Sequence, residues 1–146
     1  MVADFLAAES LLIDALVGIE GVRGVYGVGD ADLSEIITSK LTPSLHVAYA
    51  GYRVAESHGA GPWGVIEQTW IVIAHTYHVA DVLGGTGARS LAGPICSGVL
   101  SRLIGLKLGI GFGRLQLATP PREFQQIGRL LVPLAFTTKI AIDSDN

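Results

Sequence analysis

Cysteine is almost missing from this chain. Cys96 stands alone, so neither an internal disulfide nor a thiolate cage for a metal can form. Charge is sparse as well: 16% of residues are charged, against about 25% in an average soluble domain. The ten basic residues are scattered singly and the net charge is −3, so no cationic stripe is available for a phosphate backbone. Specific nucleic-acid binding is not expected. Long uncharged runs are missing too. The longest, Gln68 to Ala80, holds two histidines and falls well short of the roughly 20 residues a spanning helix needs. No membrane segment is expected, and a start with Asp4 and Glu9 but no leading basic cluster lacks the charge order of a secretory signal.

What is present is apolar. Hydrophobic residues make up 49% of the 146, and a domain of this length buries about 68–70% of the surface its unfolded chain exposes. One domain over 1–146 with a core of its own is the expectation, and global disorder is excluded. Low charge with abundant apolar residues also implies surface covered by another copy or a partner.

Helical spacing of Phe5, Leu6, Leu12, Ile13 and Leu16 predicts an amphipathic helix over Val2 to Val17. Glycines from Gly18 to Gly29 then break the chain, making 18–30 a connection that holds at most a short irregular strand. A short helix from Leu33 to Leu41 stops before Pro43. Ser44 to Glu56 reads as a long strand. After a glycine loop, Val65 to Val79 is apolar on both faces, as a covered central strand would be.

Leu91, Ile95, Val99, Leu103 and Leu106 predict a helix over Arg89 to Leu106, with Pro94 in its first turn and something approaching Gly98 closely. Arg114 to Thr119 and Arg129 to Ile142 read as further strands, the latter with an edge or bulge at Pro133. Residues 143–146 are expected to be a disordered tail. The fold class is α+β: an antiparallel or mixed four-stranded sheet with helices packed on one side.

Chemistry is hard to assemble from these residues. His75 and His78, three apart on a strand, fall on opposite faces and do not make a metal pair. His46 and His58 read as solvated, and Cys96 as a small buried hydrophobe. No G-x-S-x-G elbow occurs, and Ser10, Ser97 and Ser101 lie in helices. Gly84-Gly85-Thr86-Gly87 before a helix could suit an anion, yet it lacks the lysine of a phosphate-binding loop and reads first as a mobile connection. Glu67 on the central strand is accounted for by pairing with Arg53 across a hairpin. Neither a catalytic centre nor a cofactor is expected.

The run Pro43-Ser44-Leu45-His46-Val47-Ala48-Tyr49-Ala50-Gly51, the strand around Gln68-Thr69-Trp70-Ile71-Val72-Ile73, the helix after Gly87-Ala88-Arg89 and the closing Gly128 to Thr138 run resemble tail terminator proteins of long-tailed bacteriophages, including the Mu-like group. The resemblance spans nearly the whole chain through the order of its segments. It implies a virion tail protein without catalytic residues. Such a subunit forms a ring, usually sixfold, that caps the tail tube, ends its elongation and offers a surface to a head-completion or connector protein. The expected partners are therefore further copies of the chain, the tail tube protein and the connector.

For such contacts the loop from Arg53 to Gly64, with Trp63 as anchor, and the loop from Asp81 to Arg89 are the candidates, since tryptophan and arginine concentrate binding energy. Trp63 packing over its own sheet is the competing reading. Two further readings stay open: another tail or baseplate structural subunit, and a small anion-binding or enzymatic domain using the Gly84 to Gly87 loop.

Overall fold

The computed structural model describes residues 4–28, 41–57, 63–78, 86–126 and 128–143. Helix α1 (Ala8–Leu16) leads to strand β1 (Gly24–Val28), followed by β2 (Ser44–Ser57), β3 (Trp63–Tyr77), helix α2 (Thr86–Leu103), β4 (Gln116–Ala118), β5 (Phe124–Gln126) and β6 (Arg129–Asp143). The strands form one mixed sheet in the order β1-β2-β3-β6-β4, with β5 also on β6. β1 runs parallel to β2 and every other pair is antiparallel. The α+β class and all four expected strands are present. β1 and β5 add short partners at the margins.

Strand periodicity explains the layers. Even-numbered residues of β3 and β6, with Leu45 and Val47 of β2, form one face, which packs Leu12 and Leu16 of α1 and Ile95, Val99 and Leu103 of α2 into the main core. Trp70 and Phe136 sit opposite each other there and are fully buried. Odd-numbered β3 and β6 residues meet a second, smaller cluster of Val28, Ala48, Ile73 and Leu131. The two-sided burial expected of the central strand is thus observed.

Several boundaries differ from expectation for local reasons. The first helix starts at Ala8, because the Asp4 carboxylate accepts from the Leu6 amide and the Ala7 and Glu9 amides make tight three-residue turns to the carbonyls of Asp4 and Leu6. α2 starts at Thr86, which places Pro94 in the helix interior instead of the first turn; it has no amide to offer the Ser90 carbonyl. The short helix expected from Leu33 lies outside the described residues except for Leu41. Asp143 ends β6, and the residues after it are likewise outside.

Pro133 lies within β6 opposite Ile73. On the other side of β6, β5 covers 129–131 and β4 covers 135–137, so the proline falls between the two short partners, where no ladder bond is demanded of it.

Part of the glycine-rich stretch becomes β1 because α1 lies over it. A Cβ on Gly27 would meet the Glu9 carboxylate, so glycine here lets that side chain lie close over β1, and a larger residue would have to push it aside. At its far end α1 is held by Arg102, whose Nη1 donates to the carbonyls of Ala15 at 3.1 Å and Val17 at 2.5 Å, groups a helix terminus leaves without partners.

Candidate functional site

The β2–β3 hairpin carries the first pair of candidates. Bulges between Tyr49 and Tyr52 and between Val54 and Glu56 interrupt β2, and the resumed register sets Arg53 opposite Glu67. Their side chains form the expected ion pair, Nε to Oε1 at 3.0 Å, with Arg53 largely exposed and Glu67 mostly covered. Trp63 begins β3 opposite Asp143 and is 39% exposed, so it neither sinks into the sheet nor stands wholly free. Tyr52 and Val54 are exposed along the same stretch, and Phe5 meets Tyr49 and Tyr52 edge to face. β1 pairs only with Ser44 to Ala48, so among the described residues the outer side of β2 from 49 onward has no strand beside it.

Arg89 lies at the other end of the sheet. The Thr76 hydroxyl donates to the Ala88 carbonyl at 2.9 Å, tying the first turns of α2 to the end of β3. Arg89 itself bonds Glu123 at 3.1 Å, and both side chains are about half exposed. At roughly 3.3 Å per residue, the length of β3 separates Trp63 from this end by about 45 Å. The structure therefore pairs Arg53 and Trp63 at one end, sets Arg89 at the other, and leaves Asp81 outside the described residues. Of the glycine loop, Thr86 and Gly87 are already the first residues of α2.

The histidines correct one expectation. His46 is not solvated: it is 1% exposed, its Nε2 lies 2.9 Å from the Ser44 hydroxyl, and its ring stacks on Tyr26. His75, also fully buried, lies diagonally across from it with ring centroids 6.3 Å apart. Burial first, and the Arg129 charge second, lower the His75 pKa to about 4. Arg129 in turn lies over the Tyr77 ring at 4.7 Å. The two apolar faces of β3 carried the clue, because a strand covered on both sides obliges the middle of its neighbour β2 to be covered as well. His58 lies outside the described residues.

Cys96 is half-buried against the main core, and burial followed by the Glu123 charge raises its pKa, so the thiolate is disfavoured. No three His, Cys, Asp or Glu side chains among the described residues come together to hold a metal ion. No sequence pattern pointed to the groove of about 680 Å³ between α2 and the 19–23 segment, lined by Glu20, Arg23, Pro43, Leu91, Pro94 and Ile95 among others. Exposed Ile110 and Leu117 beyond α2 were equally unmarked.

Ion-paired surface groups and exposed apolar side chains thus stand at the rims of a two-layer α+β subunit. The chain belongs to the phage tail terminator protein family, whose model matches residues 1–146. It is a virion tail protein. Among solved structures it is similar to a chain in the virion of a native gene transfer agent particle, at 21% identity over 96% of this chain and 87% of that one, with a TM-score of 0.46. No curated protein matches it.

Proposed function

We propose that this protein caps the tail tube as a ring of identical subunits, six by the family's habit, ending elongation and presenting a surface for joining to the head. The family match along the whole chain carries this reading. Its partners are further copies of itself, the tube protein and a head-completion or connector protein. It works by shape and association, without turnover or a cofactor.

Trp63 and Arg53 at the hairpin end and Arg89 at the α2 end are the proposed contact residues, together with Asp81, which precedes α2 in the sequence. Their separation along the sheet suits a subunit that touches different neighbours at different ends. Electron microscopy of particles lacking this protein tests the reading: tails of uncontrolled length, unattached to heads, are expected. Normal joined particles reject it. A Trp63→Ala protein that caps tubes normally would remove that residue from the contact set.

A further inference from the structure

The groove beside α2 is built to receive a particular kind of side chain. One face of the helix, through Leu91, Pro94 and Ile95, meets Ile19 and Pro43 across about 680 Å³, a volume ample for an aromatic ring. Glu20 and Arg23, both exposed, add one charge of each sign at its margin. Ser90 lines the same helix face, and Pro94, four residues on, has no amide to give its carbonyl. A flat apolar side chain with a single N–H donor suits such a recess, which describes an indole.

Trp63 opens β3 at the hairpin end and is 39% exposed. Asp143 stands opposite it, and Glu56 stands opposite Val65, two residues further along β3 and therefore on the same face. Both acids are exposed, so the indole is flanked by negative charge on either neighbouring strand. Arg23 is their complement in the groove. Ile110 is more exposed than Trp63, at 87%, but it sits on the turn closed by Lys107 and Arg114, bases that would be set against Arg23.

A chain cannot fill its own groove. Arg23 and Pro43 precede Gly24 and Ser44, which lie level with His75, so the groove stands about 40 Å along β3 from Trp63. Anchor and receptor are fixed at opposite ends of one sheet.

We infer that Trp63 of one copy inserts into the groove between α2 and the 19–23 segment of the next, with Arg23 facing Asp143 and Glu56. A contact between two different patches of one chain repeats head to tail until the rotation closes, as a ring requires. The second copy is the occupant because the same chain carries the groove, the side chain that fits it and the charges that match across the two. The inference rests on the contact reading of Trp63 and names the surface that receives it.

Sedimentation of the purified chain and two variants tests it. Trp63→Ala removes the anchor and keeps the groove. Leu91→Arg crowds the groove and keeps the anchor, at a helix position that is 40% exposed and accepts a long side chain. Each alone is expected to raise the concentration of half-assembly by at least about thirtyfold while keeping its circular dichroism spectrum. Mixed in equal amounts, the two can form one contact per pair and cannot pass it on. A two-chain species is the expected product.

Acrylamide quenching of the unaltered chain is an independent measurement should a variant fail to fold. Trp70 is only 1% exposed, so the quenchable emission belongs to Trp63 and should be lost as the chain is concentrated into its assembled form. Folded variants that assemble as the unaltered chain does, a mixture that stays monomeric or reaches full assembly, a Trp63 still quenchable in the assembly, or a chain that stays monomeric throughout would each overturn the inference. None of those results touches the tail-length phenotype, so this contact and the terminator reading fail separately.

Discussion

His75 and Arg129 meet on the second face of the sheet, with guanidinium Nη1 3.3 Å from imidazole Nε2. Arginine has only donors, so Nε2 accepts and the ring proton sits on Nδ1, which is buried without a hydrogen-bond partner. A second proton would put a cation beside a cation in a site closed to water.

Acid should therefore weaken the fold. The His75 pKa is lowered to about 4 from the ordinary 6.5 of histidine, so between those values the unfolded chain binds a proton that the folded chain refuses. Stability is complete above pH 6.5, declines as pH falls toward 4, and loses no more from this group below that, for a total of about 3 kcal/mol. Urea titrations across this window measure the slope. A His75→Leu protein should show a shallower one, and an equal slope would acquit His75.

Gln68 links the sheet to the chain's beginning. Its Nε2 donates to the Phe5 carbonyl at 2.6 Å and its Oε1 accepts from the Trp70 indole at 3.2 Å, in the interior of the main face. Gln68→Leu leaves the buried indole N–H without an acceptor and should cost about 1–3 kcal/mol, read by denaturant unfolding. Trp70 fluorescence is also expected to shift, because its hydrogen bond is gone.

Gly98 is the place where α2 meets the segment after α1. A Cβ there would stand 3.2 Å from Cγ2 of Ile19, the close approach expected for a glycine kept inside a helix. Gly98→Leu should destabilise by about 1–3 kcal/mol through overpacking. Adding Ile19→Ala should return part of that loss, and strict additivity in the double-mutant cycle would show that the two positions do not compete for space.

The Arg53–Glu67 pair makes the opposite prediction. With Arg53 mostly in solvent, Arg53→Ala should change unfolding free energy by less than about 1 kcal/mol. A larger change in calorimetry would mean that the pair anchors the hairpin. If tube capping falls while stability holds, the residue acts through contact.

Much of the architecture was legible from residue order. β6 was read from its alternation because one face of it meets a continuous core, and β3 from its apolar residues on both faces. The Arg53–Glu67 pair followed from hairpin geometry, which ties opposite positions to short spacings. The candidate surface was less legible: Arg53 and Trp63 share one end, but nothing local says that Arg89 stands at the other, since that depends on how α2 returns across the sheet.

Sequence by itself determined the class, the principal strands and the helix faces, because periodicity and composition are local properties summed over many residues. Tertiary structure alone decided the burial of His46, the partners of Gln68, the parallel seat of β1 beneath α1 and the docking of Arg102 on the end of α1. Each of those depends on contacts between residues far apart in the chain, where the position of one side chain is fixed by the packing of the whole.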